Sequence, residues 1–331
     1  MTTSRSSIGS TIEAMLAGSL GEPEMIDLFG KWSTVPLTAG ALADAAQAMR
    51  KAMLQVDLGA DAMDTCGTGG SGKRRINTST LVAFIVAAAG GKVAKHGNRA
   101  AGGRCGSFDL LEALGAKIEL TPDQEKAIFG ELGIAFLFAR LHHPAMRHVA
   151  SARKTFGKPT IFNLLGPLSN PAGVKRQLLG TPFKANAKIL AAALQILGTE
   201  ESWIVTGDDG LDEVTLGGST TIFGSDGDER RFSPADIRLP FADEREITGG
   251  TTEDNLRIFR DLAAGTGTEA HRNLVIVNAA HALVLAKVAL TVQAGAVIAS
   301  DLLRSGKVGD LIHRYVEASN DLSSVSSVSS K

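Results

Sequence analysis

Residues 67–107 carry two glycine-rich loops, Gly67-Thr68-Gly69-Gly70-Ser71-Gly72 and Lys95-His96-Gly97-Asn98-Arg99-Ala100-Ala101-Gly102-Gly103, on either side of one compact βα step. That step runs through Asn77-Thr78-Ser79-Thr80, the apolar run 81–89 and Gly90-Gly91-Lys92-Val93-Ala94. Glycine at such junctions lets backbone amides and a helix N-terminus approach an anion closely. Two sites so close together predict one ligand with two phosphorylated ends.

The rest of the chain is organised around that step. Residues 8–16, 22–29 and 41–54 show helical apolar spacing with no strand signal between them. From residue 62 onward, helical runs (81–89, 109–114) alternate with short β-like runs at 135–138, 203–206 and 274–278. Residues 220–224 and 230–233, joined across Asp226-Gly227-Asp228, read as a hairpin, and 184–197 and 288–304 as Ala-rich helices. The prediction is an α/β protein: a small all-helical domain plus a larger α/β domain with a mostly parallel central sheet covered by helices. The helical domain is placed at 1–62, with further helices from about 140–175, and the α/β domain at 63–318, interrupted by that stretch. Residues 144–180 look irregular, and Gly166-Pro167 with Asn170-Pro171 makes a rigid crossing between the two parts. The Ser-rich end, 319–331, reads as a disordered tail.

The formal charge of −1 removes general attraction to nucleic acid or membranes. Cys66 and Cys105 are the only cysteines, so no disulfide framework is implied. The N-terminus lacks the apolar core of a signal peptide, and the expected compartment is the cytoplasm.

Two familiar readings of the first loop fail. Gly67, Gly69 and Gly72 match G-x-G-x-x-G, but the next strand ends in Lys95-His96-Gly97-Asn98 with no carboxylate for a ribose diol. Gly67–Lys73 begins a P-loop, but Arg74 stands where Ser or Thr must bind magnesium. What remains is a glycine loop leading to Asn77, Ser79 and Thr80 at a helix start, which is an anion site or a simple N-cap. The second loop adds Lys95, His96, Arg99 and Arg104.

Several segments together resemble the anthranilate phosphoribosyltransferases. They are Gly67-Thr68-Gly69-Gly70, Asn77-Thr78-Ser79-Thr80, Lys95-His96-Gly97-Asn98-Arg99, Gly106-Ser107, 109–115, His143-Pro144-Ala145-Met146, 163–171 and Gly210-Leu211-Asp212-Glu213. The resemblance runs from about Asp64 to Arg304. It implies transfer of phosphoribose from phosphoribosyl pyrophosphate to anthranilate in tryptophan biosynthesis, in a homodimer paired through the helical domains. By resemblance, Gly67, Gly70, Ser71, Arg75, Asn77, Thr78, Ser79 and Thr80 line the pyrophosphate site. Lys95, His96, Gly97, Asn98, Arg99, Ala100, Ala101, Gly102, Gly103 and Ser107 wrap the rest of the donor. Two Mg²⁺ sites are implied, one at Ser79 and one at Asp212 and Glu213. Arg153 clamps the anthranilate carboxylate, Gly67 and Asn98 touch the same substrate, and His143 borders its entry path.

No catalytic nucleophile or base is assigned; positioning and charge neutralisation carry the expected reaction. The chain departs from the family pattern at Ser71, where Asp is common, and at Arg74-Arg75, Thr78, Ala101-Gly102-Gly103, Cys105 and Ala139-Arg140. Alternatives at this stage are a same-fold phosphoribosyltransferase or nucleoside phosphorylase with another aromatic acceptor, and a non-catalytic nucleic-acid-binding relative.

Overall fold

The computed structural model describes residues 7–100 and 105–321. Three helices open it: α1 (Ile8–Leu16), α2 (Glu22–Thr34) and α3 (Ala39–Lys51). Ser7 and Thr38 cap α1 and α3 by accepting from Ser10 N and Ala41 N, and Pro23 starts α2. The chain then alternates through β1 (Met63–Gly67), α4 (Thr78–Ala88), β2 (Val93–Gly97), α5 (Ser107–Ala113), α6 (Pro122–Leu132) and β3 (Ile134–Phe138). Short helices α7 (Ala139–His142), α8 (Arg147–Phe156) and α9 (Phe162–Leu165) return it to the helical side before β4 (Arg176–Gly180). Next come α10 (Lys184–Ile196), β5 (Glu201–Gly207), and the hairpin β6 (Thr220–Gly224) and β7 (Glu229–Phe232). Four helices finish the described chain: α11 (Thr252–Ala263), α12 (Glu269–Leu285), α13 (Val292–Arg304) and α14 (Lys307–Asn320).

The strands form one seven-stranded sheet in the order β3-β2-β1-β4-β5-β6-β7. β1 to β5 are parallel, whereas β6 and β7 are added antiparallel. One face of the sheet meets α4, α12 and their neighbours in the larger core, built on residues such as Phe84, Phe136, Leu178 and Val275. A second core joins α1, α2, α3, α8, α9 and α10 to the other face through Leu179, Ile204 and Phe223. Alternate residues of β4 and β5 thus serve different cores, as the period of a strand requires. The crossing 166–171 is tied on three sides: Arg50 Nε donates to Leu168 O (2.7 Å), Gln177 Nε2 to Pro167 O (2.8 Å) and Val56 N to Pro171 O (3.2 Å).

Three sequence expectations are corrected. Residues 274–278 are not a strand but the middle of α12, capped by Thr268. They are buried all round, and apolar up to Asn278, because α12 is packed between α4 and α13, and a short buried run carries no period that separates helix from strand. The supposedly irregular stretch 144–180 ends in β4, the strand that pairs with β1 along its whole length. The tail expected from residue 319 does not include its first two residues. Ser319 and Asn320 belong to α14, held where Ser319 Oγ accepts from Lys117 N (3.0 Å) and Asn320 Nδ2 donates to Gly115 O (2.8 Å). Residues 322–331 lie outside the described residues.

Candidate active site

In a parallel sheet, ligands bind outside the C-terminal strand ends where the strand order reverses. Here the chain moves from β1 outward to β2 and β3, then back across β1 to β4, so the switch point lies between β1 and β4. The first glycine loop leaves β1 at that point. Gly69, Gly70 and Gly72 have φ of +66°, +87° and +73°, a left-handed backbone that strains residues bearing a Cβ. Thr68 N donates to Gly180 O (2.8 Å), which fixes the loop to the end of β4.

The loop's descending limb is anchored to the opposite wall. Lys73 Nζ reaches Glu244 Oε2 (2.7 Å), and the Arg75 guanidinium pairs with Asp212. Asn255, on α11 and 2% exposed, donates to Arg75 O (2.9 Å) and Asn77 Oδ1 (3.0 Å) and accepts from Gly250 N (2.9 Å). Asn77 Nδ2 donates onward to Cys105 O (3.0 Å). Asn77 therefore holds the N-cap position of α4 without capping it through its side chain. That disposes of the simple N-cap reading and leaves the first turn of α4 without a side-chain acceptor, the condition under which a helix end receives an anion. Ser79 is half-buried there, between the buried side chains of Thr78 and Thr80.

The second loop has a buried floor. Asp64 accepts from His96 N (3.2 Å) and from Asn170 Nδ2 (2.8 Å), and the Lys95 ammonium donates to Thr65 O. Burial raises the Asp64 carboxyl to about 6, opposed by the charge of Lys95, and lowers the Lys95 ammonium. Lys95 and His96 thus lie beneath the loop, while Asn98 and Arg99 are exposed beyond the end of β2. Arg99 pairs with Glu112 (2.8 Å). Asp109 Oδ2 accepts from Ala100 N and Gly106 N, both at 2.8 Å, and so draws the two stems of the loop together. Ser107 Oγ donates weakly to Asn98 O (3.4 Å). Ala101, Gly102 and Gly103 lie outside the described residues.

Asp212 and Glu213 are not the exposed acidic turn their sequence permits; they are 4% and 8% exposed. Asp212 sits against the first loop: a Cβ on Gly67 would lie 3.2 Å from its Oδ2, and one on Gly180 only 1.7 Å from its carbonyl oxygen. Asn278 of α12 clasps the following residue, accepting from Val214 N (2.9 Å) and donating to Val214 O (2.8 Å). Burial raises the Glu213 carboxyl to about 7, against the favourable charge of Arg75. Asp212 Oδ2 and Glu213 Oε1 are buried and accept no hydrogen bond from the described residues. Such orphaned carboxylate oxygens fit a hard cation. No three His, Cys, Asp or Glu side chains among the described residues converge into a self-sufficient cage. That donor set suits Mg²⁺, which is held by one or two carboxylates together with substrate phosphates and water.

Across the loop, a cleft of about 230 Å³ separates the helical side from the sheet. Phe29 and Trp32 of α2, Thr160, Asn163 and Phe183 line it together with Thr68, Gly69 and Gly70. Arg153 of α8 adjoins the lining residue Asn163, its guanidinium over the Phe162 ring (5.6 Å) and 3.5 Å from Asn163 Oδ1. His143 is 5% exposed, with Nε2 3.2 Å from His96 Nε2. Burial lowers both rings, His143 to about 4, so both are neutral at pH 7.

Sequence reasoning passed over Asp64, Asp109 and Asn255, which touch the loops or their stems, and Asn170, which holds Asp64. Asp109 and Asn170 lay inside segments carrying the family resemblance. Asn255 lay in none, and only folding brings it to Asn77.

The glycosyl transferase family a/b domain matches residues 59–308. An anthranilate phosphoribosyltransferase of Rubrobacter xylanophilus is 44% identical over 280 residues, which covers 84% of this chain and 82% of that protein. Its counterpart in Erythrobacter litoralis is 42% identical over 92% of both chains. Among solved structures, the enzyme of Thermus thermophilus superposes with a TM-score of 0.91 at 35% identity over 97% of each chain. That of Saccharomyces cerevisiae in complex with phosphoribosyl pyrophosphate and Mg superposes with a TM-score of 0.88 at 25% identity, covering 95% and 93%. The chain belongs to the anthranilate phosphoribosyltransferase family.

Proposed function

We propose that the protein transfers the phosphoribosyl group from phosphoribosyl pyrophosphate to the amino group of anthranilate, releasing pyrophosphate. The observation that carries this reading is the uncapped first turn of α4 at the switch point, beside a buried carboxylate pair with unpartnered oxygens. The yeast relative's complex with the donor and Mg supports it.

In this reading, Gly67, Gly70, Ser71, Arg75, Asn77 and Ser79 receive the pyrophosphate through backbone amides, hydroxyls and the guanidinium. Asn98, Arg99, Ala100 and Ser107 receive the remainder of the donor. Ser79 holds one Mg²⁺ and Asp212 with Glu213 a second; the bound cations neutralise charge on the leaving pyrophosphate. As the bond from C1 to pyrophosphate oxygen breaks, positive charge develops on the ribose and negative charge on the leaving group. The anthranilate amine, whose lone pair is free at neutral pH, forms the new bond to C1 and then loses a proton. Arg153, beside the cleft residue Asn163, orients it by pairing with the carboxylate in a planar fork. No covalent enzyme intermediate is needed. The working form is a cytoplasmic homodimer joined through the helical part, residues 1–62 with 140–175.

The test follows the loss of anthranilate fluorescence with phosphoribosyl pyrophosphate and Mg²⁺. Turnover is expected, and Arg153→Ala raises the KM for anthranilate by at least about tenfold, the scale of one lost charge-assisted hydrogen bond. Absence of turnover in the parent protein refutes the assignment.

A further inference from the structure

Arg75 is held in two ways that are mechanically separate. Its backbone carbonyl is fixed by Asn255, whereas its side chain, 28% exposed, reaches across to the Asp212 carboxylate, 1% exposed. The guanidinium can therefore leave Asp212 without moving the loop. Arg75 also stands two residues before Asn77, the N-cap position of the uncapped α4. A guanidinium and a divalent cation on one carboxylate repel each other strongly in a partly desolvated site, so the two are competitors. Removal of the guanidinium with nothing in its place leaves a buried charge unpaired.

We propose that Arg75 is an exchangeable counter-ion. In the ligand-free protein it neutralises Asp212 and keeps divalent metal weakly bound. When the donor's pyrophosphate arrives, the guanidinium transfers to the phosphate oxygens and frees the carboxylate for Mg²⁺. Arginine suits both partners, since its planar fork matches carboxylate and phosphate alike. Donor and metal then bind cooperatively, a coupling that rests on the pyrophosphate and metal sites proposed above.

The experiment measures each ligand alone: Mn²⁺ by electron paramagnetic resonance without pyrophosphate, and inorganic pyrophosphate by calorimetry without metal. Arg75→Ala is expected to bind Mn²⁺ about tenfold tighter than the parent and pyrophosphate about tenfold weaker, a typical size for coupled sites. Arg75→Gln, of similar length without the charge, should shift both in the same directions. Thermal melting supplies a further readout: both variants melt below the parent without metal and gain more from Mn²⁺. General damage to the site would weaken both ligands together, and that result overturns the proposal. So does a variant that binds Mn²⁺ no tighter than the parent. If Asp212→Asn weakens Mn²⁺ binding in the parent while the Arg75 variants show no tightening, only the exchange is wrong. If the tightening persists in the Arg75→Ala/Asp212→Asn double variant, the metal lies elsewhere and the site reading fails with it.

Discussion

Replacing Asn255 with Ala tests whether the donor loop is shaped from outside. The side chain is almost fully buried and makes hydrogen bonds to Arg75 O, Asn77 Oδ1 and Gly250 N, at 2.9, 3.0 and 2.9 Å. At about 1 kcal/mol net for each bond, their loss removes about 3 kcal/mol. Two of the three bonds hold residues 75–77, so much of that loss falls on the loop rather than on the whole fold. The exposed Lys73–Glu244 pair is too weak a tether to replace them. If the loop opens in the free protein and must be reordered by the donor, the full 3 kcal/mol corresponds to an increase of about a hundredfold in donor KM. Urea unfolding and the KM for phosphoribosyl pyrophosphate, measured on one preparation, divide the loss between fold and loop. Asn255→Asp should be no better than Ala, because it keeps one acceptor, loses both donations and sets a carboxylate against two oxygens. A variant within about 0.5 kcal/mol of the parent, with unchanged donor KM, refutes the reasoning.

Two further outcomes follow from packing and charge. Gly180→Ala places a methyl group 1.7 Å from the Asp212 carbonyl, which main chain cannot yield to, so a loss of about 3 kcal/mol or more is expected in thermal melting; a parent-like Tm contradicts the close approach. His281 is buried against Phe232 and Trp203, and burial lowers its ring to about 4 from an ordinary 6.5. The folded state then binds fewer protons than the unfolded chain between those values, so stability is lost as pH falls from about 6.5 to 4, by about 3 kcal/mol. Asp64 and Glu213, raised to about 6 and 7, act in the opposite sense, so the comparison is parent against His281→Gln. Parallel stability curves for the two proteins across that window would refute the assignment.

The α/β class, the opening helices and the hairpin were legible because each depends on local signals: apolar period, glycine junctions and turn residues. The all-buried elements were not. The middle of α12 is buried on every face and opens with the apolar run 274–277, so it imitates a strand, and β4 was lost in a stretch dominated by Gly-Pro and Asn-Pro. Ser319 and Asn320 look like the start of a polar tail because the partners that order them, Lys117 and Gly115, lie far away in the chain.

The site divides along the same line. Residues 67–107 by themselves carried the expectation of an anion with two ends, since glycine backbone and a helix start are local properties. The missing carboxylate and Arg74 excluded the dinucleotide and P-loop readings in the same local way. Only the tertiary structure decided that Asp212-Glu213 is a buried pair with unpartnered oxygens rather than a wet turn. It also turned Lys95 and His96 under their loop, set Asn255 beneath the donor loop and placed Arg75 on Asp212. Burial, desolvation and pairing depend on what the rest of the chain brings to a residue, and no local pattern carries that information.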